Sequence, residues 1–83
     1  MHITDFSSAR CRAALGPTSA ALRAVRALQA VGINAEVVAL APNETKRGCA
    51  FGIEFACTDE PRVRATLRAA RVSVSQYFKR GNT

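Results

Sequence analysis

Between Phe51 and Cys57 apolar residues stand at every second position: Phe51, Ile53, Phe55 and Cys57 alternate with Gly52, Glu54 and Ala56. Successive side chains of an extended strand point to opposite faces, so this run predicts a strand with one face in a core. It lies between two stretches of a different period. Leu22, Val25 and Leu28 recur at helical spacing while Arg23, Arg26 and Gln29 point elsewhere. Val63, Leu67 and Ala70 form a second apolar stripe, with Arg62, Arg64, Arg68 and Arg71 largely outside it. A sheet with one apolar face needs helices to cover that face, and the chain supplies two.

The remaining elements follow from weaker signals. Cys11, Ala13 and Leu15 alternate with Arg10, Arg12 and Ala14, predicting a first strand over residues 10–15. Gly16-Pro17-Thr18-Ser19 marks a turn and a helix start, and Gly32 supplies the stop. Residues 33–40 contain Val37-Val38 and run into Ala41-Pro42, a second strand ended by proline. Asp59-Glu60-Pro61 opens the second helix with acids where the helix dipole favours them, and residues 72–78 alternate again as a fourth strand. Residues 1–8 show no sustained period and read as a flexible N-terminal arm, and residues 80–83 as a frayed tail. The expected fold is α+β, a single ferredoxin-like β-α-β-β-α-β domain over residues 9–79. Its four-stranded antiparallel sheet has strand order 4-1-3-2, with both helices on one face.

Composition narrows the function. A chain of 83 residues makes one domain, and its apolar content leans on alanine with no tryptophan, so the core is thin and a deep pocket for a bulky substrate is not expected. A formal charge of +6 favours acidic partners: nucleic acid, an acidic protein surface or a small anion. The three cysteines, Cys11, Cys49 and Cys57, lack metal-ligand spacing and His2 is the one histidine, which argues against a structural zinc site, any other metal or a disulfide framework. Cys11 and Cys57 follow the apolar faces of their strands and read as core residues. The ends they occupy could be neighbours, but the strand register needed to pair them cannot be read from the sequence. Acid–base hydrolysis has no support from His2 in the arm or from Glu44, Glu54 and Glu60, and Ser73 and Ser75 read as solvent-facing residues of the fourth strand. A P-loop and a dinucleotide fingerprint are missing, so no cofactor is expected. Without an apolar signal core or a spanning run, a soluble, reducing, cytoplasmic setting is the expectation, with no membrane partner.

Cys49 differs from the other two cysteines. It ends the polar loop Pro42-Asn43-Glu44-Thr45-Lys46-Arg47-Gly48-Cys49, after a glycine and two cations. Thiolate is the reactive form of cysteine, and neighbouring Lys or Arg charge favours it. In the expected topology the first and second strands run the same way, so this loop should lie beside the Gly16 to Ser19 turn. The unpaired N–H groups there stabilise an anion such as a thiolate or persulfide.

Thr18-Ser19-Ala20-Ala21-Leu22, then Val31-Gly32-Ile33, then Pro42 with Cys49 seven positions later, resemble the Se/S carrier protein-like family of short bacterial domains. The resemblance runs from about Leu15 to Phe78. It implies that Cys49 is a carrier thiol holding a persulfide or selenosulfide for an acceptor enzyme, a carrier role more than that of a stand-alone enzyme. Lys46, Arg47, Gly48, Thr18 and Ser19 would stabilise the thiolate and Pro42 would shape the loop. Its partners would be sulfur or selenium donors and acceptors. Ala50 departs from the family pattern, which has glycine after the cysteine.

Two other classes fit the same topology. RNA-recognition modules share the element order, and Arg47-Gly48-Cys49-Ala50-Phe51 is similar to their third-strand run. Here, however, Cys49 stands where the first stacking ring belongs, and Phe51, Ile53 and Phe55 read better as one core-facing stripe. A regulatory or assembly domain would instead pair, or form an oligomer, through an edge strand.

Overall fold

The computed structural model describes residues 9–41 and 50–79. Along the chain β1 (Arg10–Gly16) is followed by α1 (Thr18–Ala30), β2 (Ala35–Ala39), β3 (Phe51–Ala56), a 3-10 turn (Cys57–Asp59), α2 (Glu60–Ala69) and β4 (Gln76–Lys79). The strands form one four-stranded sheet in the order β2-β3-β1-β4, which is 4-1-3-2 read from the other edge, and every neighbouring pair is antiparallel. The expected arm and tail lie outside the described residues.

Both helices cover the same face. Cys11, Ala13 and Leu15 of β1 and Ile53 and Phe55 of β3 form one buried cluster with Ala21, Ala24 and Leu28 of α1 and Val63 and Leu67 of α2; Phe51 packs against its margin. The β3 stripe therefore faces the core as its alternation predicts. The α1 stripe needs correction: its buried residues are Ala21, Ala24 and Leu28, while Leu22 is 46% exposed. Alanines at this contact let the helix approach the sheet, and Leu22 is left at the margin.

The two helices end alike. After α1, Gly32 takes φ +79°, its N–H donates to the Gln29 carbonyl and the Ile33 N–H to that of Leu28. After α2, Arg71 takes φ 59°, its N–H donates to the Arg68 carbonyl and the Val72 N–H to that of Leu67. Both are Schellman motifs, with buried Ile33 and Val72 packed in the core as the apolar residue that follows. This shortens the neighbouring strands relative to expectation. Residues 33 and 34 precede β2, and residues 72–75 are not a strand, because Val72 closes the helix and β4 starts only at Gln76.

Cys11 and Cys57 are joined by a disulfide, which settles a pairing the sequence left open and corrects the expectation against disulfides. The register explains it. Arg10 pairs with Ala56 and Cys11 with Phe55, so Cys57 lies diagonally across from Cys11 on the same face, a separation of roughly 7–8 Å in flat strands. The chain then turns into the 3-10 segment, with the Cys57 N–H bonded to the Ala9 carbonyl, and the two Cα atoms come to 4.9 Å.

Candidate functional site

The β2–β3 connection carries the predicted site, and its residues Pro42, Lys46, Arg47, Gly48 and Cys49 lie outside the described residues. Its two feet are described. The Leu40 N–H donates to the Ala50 carbonyl at 2.9 Å, which closes the hairpin, and Ala41 and Ala50 are exposed. Phe51, the first strand residue after the loop, pairs with Ala39 on one side and with Gly16 on the other, across a register shift between Ala14 and Gly16. The exit of the loop therefore stands beside the turn that opens α1, at the end of the sheet expected from the parallel directions of β1 and β2.

Close packing fixes this end. A side chain on Gly52 would drive its Cβ into the Ala13 carbonyl oxygen, with Leu40 Cδ1 only 3.1 Å away, so β3 can lie against β1 here only with glycine at this position. Leu40 is buried beside it.

Thr18 and Ser19 are exposed in the first turn of α1. Pro17 caps the helix with its carbonyl, which accepts from the N–H groups of Ala20 at 3.1 Å and Ala21 at 3.3 Å. No side chain caps the helix and its first turn contains no acid. The N–H groups of Thr18 and Ser19 precede the first helical hydrogen bond, the part of a helix where the backbone carries partial positive charge. Around the same end, Leu15, Ser73, Val74 and Ser75 line an open depression of ≈ 330 Å³. Ser75 is not on a strand: its N–H and Oγ both donate to the Ala14 carbonyl, at 2.9 and 3.2 Å.

Three arrangements were not foreseen from the sequence. On the face without helices, Glu54 is 6% exposed and accepts from Arg12 Nε at 2.9 Å and Arg10 Nε at 3.2 Å. The signal for it was a pair of arginines two apart on one strand with a carboxylate on its neighbour, legible once Arg12 and Glu54 are known to be cross-strand partners. Beside β4, the Arg64 guanidinium lies 4.1 Å from the centre of the Tyr77 ring, in an open cleft of ≈ 230 Å³ that Arg68, Leu67, Val72 and Val74 complete. Burial raises the Tyr77 hydroxyl above its ordinary pKa of 10.0; Glu60 adds to the rise, and Arg64 and Arg68 oppose it. The third is the disulfide. Among the described residues no group of histidine, cysteine and acidic side chains could hold a metal ion, and no helix is long and apolar enough to cross a membrane.

No curated protein and no solved structure matches the chain. The family comparison gives a match over residues 11–79, which spans β1 to β4 and includes the loop that ends in Cys49, and by it the chain belongs to the family described as Putative Se/S carrier protein-like.

Proposed function

We propose that the protein is a sulfur or selenium carrier with Cys49 as its carrier thiol, on a domain of ferredoxin-like type. The observation that supports this reading is the family match over residues 11–79, together with the feet of the β2–β3 connection, which adjoin the N-terminus of α1.

The chemistry is a pair of displacements on divalent sulfur. The Cys49 thiolate attacks the terminal sulfur of a donor persulfide; the donor S–S bond breaks, the donor leaves as a thiolate, and Cys49 holds the transferred atom as a persulfide. A nucleophile of the acceptor then attacks that terminal atom and Cys49 leaves as a thiolate, ready for another cycle. Both forms of Cys49 are anions, so Lys46, Arg47 and the N–H groups of Thr18 and Ser19 favour them, Gly48 gives the loop freedom and Pro42 sets its entry. The two depressions described are open, which suits a module that presents its cargo to donor and acceptor proteins. The setting for such exchange is the cytoplasm, and the surplus of cations favours partners with acidic docking surfaces. RNA binding is not favoured, because Ile53 and Phe55 are fully buried and Phe51 packs against the core, leaving no ring of that stripe for a base.

The test is incubation of the reduced protein with a cysteine desulfurase and cysteine, followed by intact mass. A reducible gain of one or more sulfur atoms that is lost in Cys49→Ser and retained in the Cys11 and Cys57 variants supports the carrier site. No gain, or a gain shared by all three cysteines, contradicts it.

A further inference from the structure

A second sulfur centre occupies the other end of the sheet. Its two sulfurs are unequal: Cys11 is 4% exposed inside the core, whereas Cys57 is half-buried at the start of the 3-10 turn. Glu60 adjoins them. Its Oε1 lies 3.7 Å from Cys11 Sγ, and its Oε2 accepts from Arg64 Nε at 2.8 Å, which orients the carboxylate toward the sulfur. A disulfide sulfur has no proton to donate, so the Cys11–Glu60 contact becomes an S–H···O hydrogen bond only after the bond is reduced. The site thus has a half-buried cysteine to be attacked, a buried one to leave, and a carboxylate beside the leaving sulfur.

We infer that Cys11 and Cys57 form a redox-active dithiol–disulfide centre that exchanges two electrons with a dithiol, Cys57 being the sulfur attacked. In the reducing direction one thiolate of the dithiol attacks Cys57 Sγ, the Cys11–Cys57 bond breaks, and a mixed disulfide forms. Cys11 leaves with the bonding pair and takes a proton that Glu60 relays from solvent. The second thiolate of the dithiol then attacks its own sulfur in the mixed disulfide, and Cys57 leaves and is protonated from water. The protein disulfide has gained two electrons and two protons; the dithiol has become a disulfide. The reverse sequence, with a disulfide as oxidant, restores the bridge.

This centre acts apart from Cys49. Phe51, which follows the loop, and Ala56, which precedes Cys57, lie five residues apart along β3, about 17 Å at the rise of an extended strand. The proposal does not rest on the carrier reading, and its test removes Cys49 so that the two can fail separately.

The full chain carrying Cys49→Ser is equilibrated without denaturant in mixtures of reduced and oxidised dithiothreitol, quenched in acid, alkylated and weighed. The expected result is a reversible transition between chains with two alkylated thiols and chains with none. A bridge that resists dithiothreitol until the chain is unfolded, or thiols that stay free in fully oxidised dithiothreitol, overturns the proposal. With Cys49→Ser retained, Cys57 in the Cys11→Ser chain should alkylate at least tenfold faster than Cys11 in the Cys57→Ser chain; equal or reversed rates overturn the assignment of the attacked sulfur. Glu60→Gln should slow reduction and alter the pH profile of its rate, with partial rescue by Glu60→Asp, and an unchanged profile overturns the proton relay.

Discussion

The two ends of the sheet are built on opposite plans. Where β1 begins and β3 ends, covalent and charged links cross between elements: the Cys11–Cys57 bridge, Glu60 held by Arg64, and, nearer mid-sheet, Glu54 held by Arg10 and Arg12. Where β1 ends and β3 begins, the described contacts are mostly small residues and backbone groups: Ala14 opposite Gly52, a register shift at Gly16, Ser75 hydrogen-bonded to the Ala14 carbonyl, and the start of α1, which no side chain caps. The fold is thus stapled away from the proposed carrier loop. Among the described residues the loop end is held chiefly by close backbone packing, with the Ser75 hydroxyl on the Ala14 carbonyl.

The largest test of this contrast removes the staple. Replacing both Cys11 and Cys57 by serine frees a loop closed by residues 46 apart, and chain entropy sets the loss of stability at about 4 kcal/mol, read as a fall in the urea midpoint against the oxidised parent. The second breaks the packed end. Gly52→Ala puts a methyl group into the Ala13 carbonyl, a backbone atom that moves only with its strand, and should cost about 3 kcal/mol in the same measurement. A loss below a few tenths would show that β1 and β3 can separate there without penalty.

The two helix ends repeat the contrast on a smaller scale. Gly32 and Arg71 occupy equivalent left-handed positions, and only glycine takes that conformation freely. Arg71→Gly should therefore stabilise the chain by about 1 kcal/mol and Gly32→Ala destabilise it by a similar amount, both by denaturant midpoint. The smallest effect is pH-dependent. Because burial holds the folded Tyr77 hydroxyl above 10.0, its contribution is fully present below that pH. As pH rises past 10.0 the unfolded chain ionises first and stability declines until the folded hydroxyl ionises too. Tyr77→Phe should flatten that part of the decline; an unchanged slope would place its cause elsewhere.

The element order was legible because it rests on period, and the sheet order because right-handed crossovers follow from it; the run Phe51, Ile53, Phe55 shows which face of β3 is buried. The α1 stripe was misread because hydrophobicity ranks Leu22 and Val25 above Ala21 and Ala24, while the sheet face rewards the side chains that allow close approach. The fourth strand was placed too early because Val72 and Val74 alternate like strand residues although Val72 completes the cap of α2. The disulfide and the Glu54 cluster needed the β1–β3 register, which no local pattern contains. Of the candidate site, the sequence gives the order of groups around Cys49, and the fold adds where the loop is anchored: Phe51 against Gly16, next to Thr18 and Ser19.

The most direct measurement compares the two sulfur centres in one molecule. The oxidised protein, its Cys11–Cys57 bridge intact, is loaded by a cysteine desulfurase with sulfur-labelled cysteine and digested without reductant, and the label is located by peptide mapping. The expected result is labelled sulfur on the peptide that contains Cys49, with the Cys11–Cys57 peptides unlabelled and still linked. Label on Cys57 or Cys11, with Cys49 unmodified, would contradict it.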